Sequence, residues 1–85
     1  MDFDKYENRF KRVTIREDSD IPLWLQWKNE KERLHNLFKE DALRDVGLEG
    51  HPRADKAFQL AWREGHSDGF FEVHDWLLDL AELLI

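Results

Sequence analysis

Cysteine is absent from the 85 residues, which excludes disulfides, thiolate metal sites and thiol chemistry. Proline occurs twice and glycine four times, too sparsely for a flexible linker. No apolar run reaches the ~18 residues of a membrane span. The start, Met1-Asp2-Phe3-Asp4, lacks the basic-then-apolar order of a signal peptide, so the expectation is a cytoplasmic chain without membrane contact. A more local absence lies near the end. Residues 64–85 contain no Lys or Arg but six acids, Glu64, Asp68, Glu72, Asp75, Asp79 and Glu82. Residues 1–63 hold 13 bases and 13 acids, so the whole net charge of −6 belongs to the closing stretch. Such a surface repels nucleic acid and attracts a basic protein, and no direct nucleic-acid binding is expected.

Four Trp, six Phe and 41% apolar residues argue for a folded chain. The length implies one domain over residues 1–85. At this size only about 60–65% of the unfolded surface is buried, so packing must be close or an oligomer must form.

The expected fold is all-α: a small three-helix domain, a long helix plus a C-terminal helical hairpin, preceded by a short extended arm. Residues 1–18 are read as that arm or a short strand. Val13-Thr14-Ile15 is a β-branched run, and basic residues interleave with Phe10, Val13 and Ile15. Ser19-Asp20-Ile21-Pro22 signals a helix start, with Ser or Asp able to cap and Pro suited to the first turn. A helix over 22–46 follows, with Trp27, Leu34, Phe38, Ala42 and Val46 on one stripe and Gly47 as its stop. Its middle, Lys28 to Arg33, is almost wholly charged and reads as a solvated face. His51-Pro52 opens a second helix over 52–64, striped by Ala54, Ala57, Phe58, Ala61 and Trp62. The third helix spans 67–84, with Ser67 as its cap and Gly69 attributed to a tight helix crossing. The expected core is Leu34, Leu37, Phe38, Ala42, Val46, Phe58, Ala61, Trp62, Phe70, Val73, Leu77, Leu80 and Leu84.

Wound at about 100° per residue, Asp68, Glu72, Asp75, Asp79 and Glu82 of this last helix fall within roughly 40° of one line. The remaining arc, about 240° wide, is apolar, whereas a surface helix needs somewhat more than ~100°. The expectation is that it buries nearly all round, against its own chain, a sister chain or a target.

No constellation of catalytic type stands out. His35, His51, His66 and His74 lack the close spacing of metal ligands on one helical face, so no metal and no cofactor are expected. His74, within the apolar arc, reads as a hydrogen-bonded core or interface histidine. The aligned carboxylates occupy the solvated edge of their helix, not a desolvated cleft. His66, Ser67 and Asp68 are neighbours in sequence, which rarely point at a common atom. The row also has a sharper reading. Residues three and four apart stand about 5–6 Å from one another, close to the phosphate spacing of a nucleic-acid strand.

His51-Pro52-Arg53-Ala54, Ala61-Trp62-Arg63-Glu64-Gly65-His66-Ser67-Asp68-Gly69 and Glu72-Val73, followed by the Leu80-to-Leu84 ending, resemble small proteins of tailed bacteriophages. Their shared pattern runs His-Pro-x-Ala, Ala-Trp, Gly-His-Ser-x-Gly, Glu-Val, then leucines. The opening Asp2 to Asn8 is similar to theirs as well. The resemblance covers about the first eight and last forty residues, and the stretch between diverges. His74-Asp75-Trp76 also departs from the aromatic or amide residues that follow Glu-Val in those proteins. What the resemblance implies is a phage origin, hence a host cytoplasm, and nothing catalytic. It singles out the helix junction Gly65, His66, Ser67 and Gly69. The residues themselves read as a structural corner, with His66 bonding a free carbonyl, or as a recognition corner.

The leading expectation is therefore a non-enzymatic, phage-type module that binds another protein, an inhibitor or modulator of a host or defence factor. Trp24, Trp27, Phe71, Trp76 and Leu83 are the candidate contacts, since large aromatics dominate interface energetics. The alternatives are a homo-oligomeric structural or accessory protein, with the excess apolar surface closing a homodimer, and an acidic DNA mimic that blocks a nucleic-acid-binding protein.

Overall fold

Asp2 accepts a hydrogen bond from the Lys5 amide (3.2 Å) and so caps a helix that the extended-arm expectation had not placed there. In the computed structural model, which describes residues 1–12, 16, 18 and 20–85, this helix α1 spans Phe3–Lys11. It is followed by α2 (Leu23–Asp45), α3 (Ala54–Gly65) and α4 (Phe70–Leu84). Among the described residues the fold is all-helical with four helices, one more than the three-helix expectation. The strand reading of Val13-Thr14-Ile15 lies outside the described residues.

The missed helix has a plain cause. Phe3, Tyr6 and Phe10 recur at helical spacing, and Tyr6 is buried while Phe3 and Phe10 pack against the core. Asp4 in the first turn and Arg9 and Lys11 in the last complement the helix dipole. Lys31 of α2 donates to the Phe10 carbonyl (2.5 Å) at the helix end and lies 3.8 Å from the centre of the Phe10 ring. The N-terminal segment is thus tied to α2 through a residue that looked merely solvated. Glu30, beside it, pairs with Arg33; the hydrogen bond from Arg33 holds its carboxyl below the usual range. Glu30 and Arg33 sit in solvent, where such a pair contributes little.

α2 begins on Pro22 without a side-chain cap, unlike the Ser or Asp cap expected. Gln26 supplies order instead, accepting from the Arg16 amide (2.9 Å) and donating to the carbonyls of Arg16 (3.0 Å) and Ile21 (2.8 Å). The far end closes as a Schellman turn. Gly47 takes φ +82°, its amide donates to Arg44 O (3.2 Å), and the Leu48 amide donates to Leu43 O (2.8 Å). Leu48 is fully buried against the core, so this stop also supplies packing.

Ala54, Ala57, Phe58, Ala61 and Gly65 bury one stripe of α3, and its small residues let α4 approach closely. At Gly65 a Cβ would stand 2.8 Å from the Val73 amide nitrogen and 2.9 Å from the Glu72 carbonyl carbon. The tight crossing therefore belongs to Gly65, not to Gly69. Gly69 is the N-cap of α4 at φ +120°, a conformation that suits only glycine. Ser67 makes no cap. The acceptor for the first α4 amide comes from across the fold: Glu7 Oε1 takes the Phe70 N–H at 3.0 Å.

The core gathers around Phe38, whose ring lies 5.4 Å from Tyr6, 6.0 Å from Phe58 and 4.6 Å from Phe70. Tyr6 donates its hydroxyl hydrogen bond to Asp41, almost one turn beyond Phe38. Of the expected core residues, Leu37, Trp62, Leu80 and Leu84 are only partly buried, while Tyr6, Leu43, Leu48, Ala54, Ala57 and Ala81 join the buried set.

In a helix interior Gly→Ala ordinarily stabilises by about 0.5–1 kcal/mol. Gly65→Ala is expected to reverse that sign and cost about 1–3 kcal/mol, because backbone atoms of α4 cannot yield as a side chain would. Urea denaturation measures this, and a variant as stable as the parent contradicts the close crossing. Glu7→Ala is expected to cost about 1 kcal/mol through the lost cap, while Glu7→Gln keeps an acceptor and most of the stability.

Candidate interaction surface

α4 turns Phe70, Val73, Leu77 and Ala81 inward, with Leu80 and Leu84 packed beside them. That accounts for about half of its apolar arc; the expectation of burial nearly all round is not met within the chain. Leu78 and the candidate contacts Phe71, Trp76 and Leu83 are exposed, Leu83 at 82%. Asp68, Asp75, Asp79 and Glu82 are exposed and Glu72 is half-buried, and none of the five has an ion-pair partner among the described residues. α4 begins at Phe70, so Asp68 stands in the turn before it and the row on the helix is Glu72, Asp75, Asp79 and Glu82. On the helix wheel Trp76 and Leu83 flank that row on one side, Phe71 and Leu78 on the other, each about 60–80° away. The outer face is therefore a charged line between two apolar shoulders.

Trp24 and Trp27 stand elsewhere, on the first turns of α2, exposed at 66% and 50% beside exposed Ile21 and Leu23. The Lys31 ammonium lies 5.3 Å from the Trp27 ring. The five candidate contacts thus sit on two helices and on both shoulders of α4.

The junction residues do converge. His66 Nδ1 lies 2.8 Å from the Trp62 carbonyl oxygen; a carbonyl only accepts, so Nδ1 carries the proton. The imidazole stacks on Trp62 with centroids 5.7 Å apart and planes 15° from parallel. Ser67 and Asp68 follow at the surface, and Gly69 admits Glu7 beneath it. Together with α1 these residues wall a groove of about 670 Å³, lined among others by Asp4, Glu7, Phe10, Trp62, Asp68 and Phe71. The α1 contributors escaped the sequence reading; the Phe3, Tyr6, Phe10 spacing was the signal that could have found them.

The other histidines have separate attachments. His74 Nε2 pairs with Asp45 Oδ2 at 2.6 Å, and Phe3 meets the ring edge-on at 5.3 Å. His51 Nδ1 accepts from the Arg53 amide (3.0 Å). His35 packs edge-on against Trp62 and Phe58 at 4.5 and 5.4 Å. Among the described residues no three His, Asp or Glu groups are arranged to hold a metal ion. No hydrogen bond joins His66 to Ser67 or Asp68 among the described residues, so the adjacent trio does not form a relay. No described helix is long and apolar enough to cross a membrane.

An acid near a helix C-terminus opposes the helix dipole, and neither Asp79 nor Glu82 has a compensating partner among the described residues. Asp79→Asn with Glu82→Gln is expected to leave stability unchanged or raise it by up to about 0.5 kcal/mol. Thermal unfolding at low salt checks this; a clear loss of stability means the row has a structural partner.

No curated protein and no solved structure matches the chain. A family model does match, over residues 5–85, which takes in α1 from its third residue, the groove lining except Asp4, and the whole of α4. The chain belongs to the family of unknown function DUF8546.

Proposed function

We propose that this protein is a non-enzymatic binding module of phage type that engages another protein, inhibiting or modulating a host or defence factor. The observation that carries this reading is the outer face of α4. It holds a row of carboxylates without ion-pair partners among the described residues, between the exposed apolar shoulders of Trp76 and Leu83 and of Phe71 and Leu78. Exposed apolar side chains scattered singly need no explanation, but rows of them against unpaired charge describe an interface rim and anchors. The charge sign selects a basic partner surface and speeds its approach. The resemblance to small phage proteins supports the biological setting.

A second reading, self-association, is favoured by a different observation. Ile21, Leu23, Trp24 and Trp27 form an exposed apolar end of α2. Light scattering at tens of micromolar separates the two: a clean monomer removes the homodimer.

Capture from a bacterial host lysate, followed by a binding titration of the purified partner, tests the leading reading. Trp76→Ala is expected to weaken that partner about tenfold or more, as for a central aromatic anchor. Glu72→Gln, Asp75→Asn and Asp79→Asn combined are expected to flatten the salt dependence of binding. A partner indifferent to both variants overturns the assignment to α4.

A further inference from the structure

The corner groove between α1 and the α3–α4 junction combines aromatic walls with carboxylates at its edge. Phe10, Trp62 and Phe70 stand close, with ring centroids 5.4 Å apart for Phe10 and Phe70 and 5.9 Å for Trp62 and Phe70. Phe71 and the Trp62–His66 stack extend that apolar lining. Three acids, Asp4, Glu7 and Asp68, face one base, Lys11. Glu7 is already engaged, one oxygen on the Phe70 amide and the other 3.8 Å from Lys11. Asp4 and Asp68 have no side-chain hydrogen bond or ion pair among the described residues.

These facts restrict the occupant. An anion is excluded by the acids, and Glu7 already occupies the α4 N-terminus that would otherwise attract one. An apolar side chain would fill the aromatic part but would strip water from Asp4 and Asp68 without pairing them, which is unfavourable. A flat cation meets both demands, stacking its face on the rings while its edge donates to carboxylates. Guanidinium does this better than ammonium, which is compact and strongly hydrated. We propose that this groove is a recognition site for an arginine side chain carried by the protein partner. The inference deepens the protein-binding reading and rests on it. Asp68, in the turn before α4, and Phe71, on its first turn, join the groove to the outer face of α4, so one basic partner segment can run from one to the other.

The test uses the full chain, labelled with ¹⁵N, titrated at low salt with acetyl-arginine-amide and, separately, with acetyl-citrulline-amide, its neutral isostere. The arginine probe is expected to shift the Trp62 indole and the Gly69 and Phe71 amides saturably, and the citrulline probe to leave them unmoved. Asp4→Asn with Asp68→Asn should weaken the probe roughly threefold to tenfold, since each exposed charge contact contributes modestly. Asp75→Asn with Asp79→Asn should change it less than about twofold, those carboxylates lying outside the groove. Phe71→Ala, at an exposed position, gives a second variant that weakens the probe without disturbing the core. Equal shifts from citrulline, shifts spread along Asp75 and Asp79, or indifference to Asp4 and Asp68 overturn the proposal. A partner that still depends on Trp76 while the arginine probe fails removes this inference alone. Probe binding without any Trp76-dependent partner removes the protein-binding assignment and leaves a bare arginine site.

Discussion

Phe38 has no exposed surface, and its ring meets an aromatic ring from each of the other three helices: Tyr6, Phe58 and Phe70. The rest of the structure depends on that convergence. A chain of 85 residues has room for little more than one shell of buried side chains, so a single large ring at its centre does much of the joining. Edge-to-face and tilted pairs contribute beyond the area they bury, and they also fix the angles at which the helices meet. α3 and α4 add a second constraint through Gly65, where two backbones come into direct contact. One ring sets where the four helices meet; one missing side chain sets how closely the last two do.

The surface follows from this economy. With α4 held against α3 along Val73, Leu77 and Ala81, no element among the described residues covers Phe71, Trp76, Leu78 or Leu83. The same helix contributes to the core on one face and presents an exposed strip of acids and large apolar side chains on the other. α1 plays a comparable double part. Tyr6 and Phe10 fill space beside Phe38 and Phe70, while Asp4 and Glu7 of the same two turns line the corner groove.

Much of this was legible in the residues. The long helix expected over 22–46 runs Leu23–Asp45, and Gly47 stops it as a positive-φ residue. His66 does bond a carbonyl. The errors share a physical character. α1 is only nine residues long and shows its period in just three apolar positions, so the β-branched run after it dominated the reading. Gly65 and Gly69 are four apart and both look like junction glycines. Only the structure separates them: the α4 backbone at Val73 presses on Gly65, whereas Gly69 is marked by its φ of +120°. A cap supplied from 63 residues away leaves no local trace at all, which is why Ser67 looked like the natural candidate. The wide apolar arc of α4 is a correct description of the helix, but periodicity alone cannot tell a covered face from an exposed one.

The Glu7–Phe70 hydrogen bond has a temporal side. The amide that Glu7 caps leaves the ribosome 63 residues after Glu7 itself. α1 can meet α2 through Tyr6 and Lys31 as soon as both are made, but its contact with α4 waits for the later residues, while the α3–α4 hairpin is short in sequence and closes by local contacts. The corner therefore cannot close before α4 has formed. A molecule whose α1 is not docked on α4 lacks one wall of the groove, so the groove itself reports on that docking.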